Sequence, residues 1–253
     1  AGIDIRPTGV MSKTRPQYFK DIIVKIDSVF AYKIYQTDQQ LIQWRIHRTE
    51  ADDYIVANYD SLIVYYDQLI ELISENKNIL MAYFDEETIL VTLQTAISVR
   101  THIDQRNDYR LNYTDRVSLR DNQMAGHLKF IKHSLYDNPK IIIWAHNYHI
   151  QEAPYEAGYS NTLGYWLKQE YPNELYTIWS LAYRGKIRYG NISEIEITGK
   201  ECIEAVLYTA RKKHYFVDLS QQTRHGGNSW MVARIYQSYP HSTGPYDINY
   251  IPR

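Results

Sequence analysis

The chain of 253 residues holds a single cysteine, Cys202, which excludes a disulfide framework and every multi-cysteine metal site. It has no excess of one charge: 28 Lys and Arg stand against 29 Asp and Glu, a formal net charge of -1, so a polybasic nucleic-acid binder is ruled out. Long apolar runs are missing as well. The longest strongly apolar run is Ile141–Ala145, against the roughly 18–20 residues of a membrane helix, and mean hydropathy is -0.49. No membrane partner is therefore expected, and a cytoplasmic location is. The usual nucleotide signatures are absent too, since Gly185-Lys186 and Gly199-Lys200 are followed by Ile and Glu where a phosphate-binding loop needs Ser or Thr. No Gly-x-Ser-x-Gly elbow occurs, so Arg224-His225-Gly226-Gly227 reads as a turn and not as the oxyanion loop of a serine hydrolase. No cofactor is expected.

What is plentiful is tyrosine, with 25 copies against 5 Phe and 5 Trp. Much of the apolar surface thus carries a hydroxyl that needs a partner when buried, which favours half-buried helix faces and polar clefts. Ile3 and Ile5 alternate with polar residues before Pro7 and Gly9, predicting a short strand at about residues 3–6. The period then changes. Thr14-Arg15-Pro16-Gln17 has capping-box spacing, and Phe19, Ile22, Ile23, Ile26, Val29 and Phe30 follow at helical intervals. A second stripe runs from Ile55 to Ile73, a third helix covers about Ile79 to Arg106, and a fourth about Asp115 to Leu135.

After Asn138-Pro139 the apolar run Ile141–Ala145 is too short for a helix and lacks alternation, predicting a strand buried on both faces. Helices are expected at Thr162–Tyr171 and Cys202–Lys213, and strands at Leu175–Ala182 and His214–Leu219. Alternating strands and helices imply right-handed crossovers. The expected fold is α/β: one domain over residues 1–253 with a mostly parallel sheet flanked by helices. Residues 1–13 and 137–253 form the core, and residues 14–136 form a helical insertion after the first strand.

The sharpest chemical feature is Ala145-His146-Asn147-Tyr148-His149, directly after the Ile141–Ala145 run. In open parallel sheets ligands bind beyond the carboxyl ends of strands, which places two histidines and an amide at the expected cleft. Imidazole can relay a proton near neutral pH, and Asn can orient a carbonyl or a water; alternatively, one histidine only hydrogen-bonds the loop. On the fourth helix Arg120, Asp121 and His127 fall within or beside the apolar stripe of Val117, Met124, Leu128, Ile131 and Leu135. Inward charges are costly unless they are paired or face a site, so Arg120 and Asp121 belong either to a site or to a buried ion-pair network. His127 reads as packing, as does Cys202. His146 and His149 have spacing that could ligate a metal, but zinc needs at least one further ligand, so metal-independent chemistry is expected.

The segments Arg120-Asp121-Asn122-Gln123-Met124-Ala125 and Trp144-Ala145-His146-Asn147-Tyr148-His149 closely resemble the erythromycin esterase family, as do Gly2-Ile3-Asp4, Leu163-Gly164 through Leu167-Lys168, and Phe216-Val217-Asp218-Leu219. The resemblance implies a bacterial hydrolase of a carboxylic ester or lactone, the substrate being a small molecule and water being activated by histidine and carboxylate groups. Members that open the macrolide lactone ring, a route to antibiotic resistance, give the family its name, and some relatives carry a succinoglycan-biosynthesis label. Carried over, Arg120, His146 and His149 fall on active-site positions, with Asp121, Asn147 and Asp4 as substrate-binding companions. Two departures stand out. Gly126-His127 replaces the usual polar pair after Met-Ala. The Gly-Glu-x-x-His-Gly segment that supplies the family's principal base has no counterpart, because no Gly in this chain is followed by Glu. The sequence thus resembles the later portion of such an esterase, with a missing N-terminal segment as its expected partner. A catalytically silent binding module of the same ancestry and a metal-assisted hydrolase are the alternatives.

Overall fold

The apolar stripes do form helices, but short turns cut three of them. The computed structural model describes residues 10–44, 48–107, 113–152, 161–179, 184–189, 191–196, 207–211, 216, 236–238 and 245–247. The first stripe is divided between α1 (Val10–Ile23) and α2 (Ser28–Trp44). Asp27 makes the break, because its side chain accepts the Phe30 amide at 2.8 Å and starts a new helix. Helix α1 begins a turn earlier than the capping-box spacing suggests, with Pro16 inside it. The second stripe is cut at Asn58 into α3 (Arg48–Ala57) and α4 (Tyr59–Glu75). The third opens as the single turn α5 (Lys77–Leu80) and restarts as α6 (Glu86–Asn107), capped by Asp85, which accepts the Thr88 amide at 2.6 Å. The fourth is α7 (Tyr113–Phe130), which widens into a π turn over Ile131–Leu135.

These helices share one core. Leu62, Tyr66, Leu69 and Ile73 of α4 pack with Ile89, Ala96, Val99 and Ile103 of α6, and with Phe19, Ile22, Ile23, Phe30, Ala31 and Ile34 of α1 and α2. The 3- and 4-residue spacing on α4 and α6 keeps each set on one face. A buried polar cluster sits within this apolar frame. Arg15 donates through Nε and Nη2 to the Asp38 carboxylate at 2.5–3.0 Å, and the Tyr66 hydroxyl donates to the same carboxylate. Burial would lower the Arg15 pKa, but the facing Asp38 and Tyr66 overcome it and hold the pKa up. Burial, reinforced by Asp38, pushes the Tyr66 hydroxyl well above its usual range.

The expected α/β sheet is not what the chain forms. The described residues are predominantly helical and contain no parallel strand pair. Residues 141–145 form no regular element and belong to no sheet among the described residues. Ile141, Ile143 and Ala145 are half-buried, while Ile142 and Trp144 are 94% and 93% exposed. The unbroken apolar run predicts a strand covered on both faces; in the structure half-buried and exposed residues alternate along it and none of them is fully buried. The predicted strands near 3–6 and 214–219 lie outside the described residues except for Phe216, and 175–179 form no regular element. The helix expected over Cys202–Lys213 is described only at 207–211.

The chain divides into two compact units, residues 1–173 and 174–253. In the second, β1 (Arg184–Tyr189) pairs antiparallel with β2 (Asn191–Glu196), and β3 (Tyr236–Ser238) pairs antiparallel with β4 (Pro245–Asp247). Helix α8 (Leu163–Glu170) belongs to the first unit and packs against α7. It matches the expectation at Thr162–Tyr171. No helix among the described residues is long and apolar enough to cross a membrane.

Candidate active site

Helix α7 and the turn that follows the Ile141–Ala145 run bring three of the expected residues together. Residues 147–150 form one 3-10 turn, opened by the His149 amide donating to the His146 carbonyl at 2.8 Å. Such a turn stacks positions three apart, so the backbone at 146 lies beneath that at 149. From this turn the His149 ring reaches α7. Its Nδ1 lies 2.7 Å from Asp121 Oδ2, and its Nε2 lies 3.4 Å from Arg120 Nη1.

A carboxylate can only accept and a guanidinium can only donate, so in the neutral ring these two contacts both favour one tautomer. Nδ1 carries the hydrogen and donates it to Asp121, leaving the lone pair on Nε2 toward Arg120. Asp121 itself is fully buried, with 0% of its side chain exposed, whereas His149 keeps 21%. The same Oδ2 also accepts the Leu163 amide of α8 at 2.9 Å, so two N–H groups converge on one oxygen. The other oxygen, Oδ1, lies 3.8 Å from Arg120 Nη1. Neighbours in sequence on a helix do not face each other, and the pair is accordingly loose; each residue finds its closer partner in His149.

Two buried atoms of this cluster, Arg120 Nε and Asp121 Oδ1, make no hydrogen bond among the described residues. His146 is exposed at the entry to the turn, and Asn147 is half-buried as its first residue. Asp4 lies outside the described residues. His127 turns the other way: it is buried, with Nδ1 2.8 Å from Gln94 Nε2 and Nε2 3.1 Å from Ser98 Oγ, and so ties α7 to α6. Beside it Gly126 faces open space. This departure from the family pattern is therefore used for helix packing. Among the described residues no group of three or more His, Cys, Asp or Glu side chains could hold a metal ion.

Sequence reasoning missed the contributions of Thr162 and Gly164. Thr162 caps α8 and is buried, with Oγ1 donating to the Gln151 carbonyl at 2.6 Å and accepting the Tyr165 amide at 3.4 Å. The signal was present: a threonine before Leu163-Gly164 is an N-cap residue.

The chain is 27% identical over 196 residues to "Putative hydrolase YbfO" of Bacillus subtilis (strain 168), an alignment covering 70% of this chain and 43% of that protein. It thus spans less than half the length of that curated relative. No solved structure matches the chain. A family model described as erythromycin esterase matches residues 21–243, which include both motif segments and every residue of the Arg120–Asp121–His149 cluster, and on that match the chain belongs to the erythromycin esterase family.

Proposed function

We propose that the protein is a hydrolase of carboxylic esters or lactones in which His149 activates water directly. The observation that carries this reading is the bond of 2.7 Å from His149 Nδ1 to the buried Asp121 carboxylate, with Arg120 beside Nε2. Asp121 holds the ring in the tautomer whose Nε2 can accept a proton and stabilises the imidazolium that results. As a water oxygen attacks the carbonyl carbon, Nε2 takes the water proton. The charge that develops on the carbonyl oxygen faces Arg120, a permanent cation with donors to offer. Collapse of the tetrahedral intermediate expels the alkoxide, which takes the proton back from Nε2, giving an acid and an alcohol. General-base catalysis contributes about 10²–10⁴-fold, and one oxyanion donor about 10²–10³-fold. His146 and Asn147, at the mouth of the same turn, are assigned to the substrate. Membership of the family and the name of the Bacillus subtilis relative support the hydrolase class.

A silent binding module is the competing reading, favoured by the Arg120 guanidinium 3.4 Å from His149 Nε2, the nitrogen that would take the proton. The test is release of acid from nitrophenyl butyrate and from a macrolide lactone, followed at constant pH, for the wild type and for His149→Ala. Hydrolysis by the wild type and its loss in the variant are expected. A folded wild type that binds a lactone without opening it would refute the hydrolase and establish the binding module. In the encoding gene, an in-frame Gly-Glu-x-x-His-Gly upstream of Ala1 goes with the enzyme.

A further inference from the structure

The first turn of α8 is pressed unusually close to the chain segment that follows His149. A Cβ placed on Gly164 would lie 2.4 Å from the carbonyl carbon and oxygen of Ile150 and 2.5 Å from the Gln151 carbonyl oxygen. These are backbone atoms, which cannot swing aside as a side chain can. Next to it, the buried Thr162 hydroxyl donates to that same Gln151 carbonyl at 2.6 Å. Between them Leu163 sends its amide to Asp121 Oδ2 at 2.9 Å, the oxygen that also holds His149 Nδ1. Helix α8 thus touches the catalytic pair from two sides, through the carboxylate and through the backbone just past the histidine.

We propose that Thr162 and Gly164 are positioning residues for His149, clasping the start of α8 to the Ile150–Gln151 backbone so that the Leu163 amide and the His149 ring meet on one oxygen of Asp121. The reasoning is geometric. A methyl group at position 164 needs ordinary contact of at least 3.4 Å to backbone, so α8 must withdraw by about 1 Å from the Ile150 carbonyl. A withdrawal of that size takes the Leu163 amide out of hydrogen-bonding range of Asp121. Asp121 then loses the contact that fixes its rotamer, and His149 loses the fixed acceptor that sets its tautomer. Removing the Thr162 hydroxyl has the same consequence by another route, because it releases the Gln151 carbonyl and the α8 cap together. The proposal rests on the catalytic reading of His149, but its first readout does not.

The test uses the full chain with Thr162→Val, Thr162→Ser and Gly164→Ala. Nitrogen–proton correlation spectra of the histidine rings, recorded at about pH 8 where an ordinary imidazole is neutral, report which ring nitrogen carries the hydrogen. The His149 signal is assigned by its disappearance in His149→Gln. The wild type and Thr162→Ser are expected to show the Nδ1–H tautomer, and Thr162→Val and Gly164→Ala the Nε2–H tautomer that free histidine prefers, with the helical circular dichroism retained. For hydrolysis of nitrophenyl butyrate, kcat is expected to fall on the order of 10–100-fold in those two variants with KM nearly unchanged, and Thr162→Ser is expected to restore it. An unchanged Nδ1–H signature in Thr162→Val and Gly164→Ala overturns the proposal. So does a shared loss of helical signal, which would make both residues props of the fold alone. If the tautomer switches as expected while the wild type hydrolyses nothing, the clasp stands and the catalytic reading falls.

Discussion

Asp121→Asn removes one charge and almost no volume, so it separates the chemistry of the His149 pair from its packing. Asp121 Oδ2 accepts two N–H groups, from His149 at 2.7 Å and from Leu163 at 2.9 Å, in a site with no exposure. An asparagine can keep both bonds only by placing its amide oxygen there, which turns its NH₂ toward Arg120 Nη1, 3.8 Å from the replaced oxygen. Donor then faces donor. Hydrogen bonds to charged groups are worth about 1.5–3 kcal/mol and neutral ones about 1 kcal/mol, so two weakened bonds amount to about 2 kcal/mol. At roughly 2–4 °C per kcal/mol for a domain of this size, the melting temperature should fall by about 4–8 °C. The effect on catalysis should be larger, because the imidazolium loses its counter-charge and the ring its fixed tautomer; a fall in kcat of about 10²–10⁴-fold is expected, the upper figure being that of the serine-protease triad. Melting curves beside ester-hydrolysis kinetics check both numbers. A variant that melts lower but hydrolyses within a factor of three of the wild type would show that the Asp121–His149 bond only joins α7 to the turn.

Other perturbations test the frame and the site separately. Asp38→Asn should destabilise by about 3–5 kcal/mol, the cost of breaking a buried ion pair, read by urea unfolding, because Arg15 is left charged and 4% exposed. Tyr66, whose folded pKa is raised by burial and by Asp38, contributes stability that is complete below the ordinary tyrosine range and is lost as pH rises through it; Tyr66→Phe should flatten the alkaline arm of a stability–pH curve above about pH 10. Asp85 behaves with the opposite sign. Its pKa is held down by the Thr88 hydroxyl and amide, so its capping contribution is present above the ordinary carboxylate range and lost as pH falls below it, and Asp85→Ala should be harmful at neutral pH but nearly silent in acid. His146→Ala should raise KM more than it lowers kcat, the reverse of His149→Ala, since His146 is exposed at the mouth of the turn and His149 is held by Asp121.

The residues of the Arg120–Asp121–His149 cluster are legible in the sequence, whereas the sheet expected around them is not what the chain forms. Arg120 and Asp121 were marked because charges interrupt the apolar stripe of α7, and burial of Asp121 is what that pattern forecasts. The two histidines were marked by position after the apolar run; what the sequence could not say was that His149, and not the nearer His146, reaches the carboxylate, since that depends on one tight turn. The helical stripes survive in the core at Ile22, Leu62, Leu69 and Ile89, but they are less continuous than the sequence suggests, because apolar periodicity runs across Asp27 and Asn58 without a change of phase; the Asp27 side chain caps the first break, and Asn58 stands at the second with no side-chain cap. The sheet failed for a different reason. Apolar content at Ile141–Ala145 reports a preference for burial, but a strand needs a neighbour to pair with, and no property of the run itself states whether one lies beside it. The hairpin of β1 and β2 went unread although Gly190, a turn signal, stands in the sequence between segments carrying Ile187 and Ile192.

The exposed residues of the apolar run also govern how the polypeptide behaves at concentration. Ile142 and Trp144 both lie almost fully open, with no charged residue between Ile141 and Ala145 to interrupt them. Short uncharged stretches rich in β-branched and aromatic residues are the ones that adhere to their own kind, and natural chains guard them with lysine, proline or a bulge. Here Pro139 and Lys140 guard only the leading end. Self-adhesion through this stretch should set the solubility limit of the polypeptide, and Ile142→Lys, placed in the middle of it and outside the histidine cluster, is the change that should raise that limit.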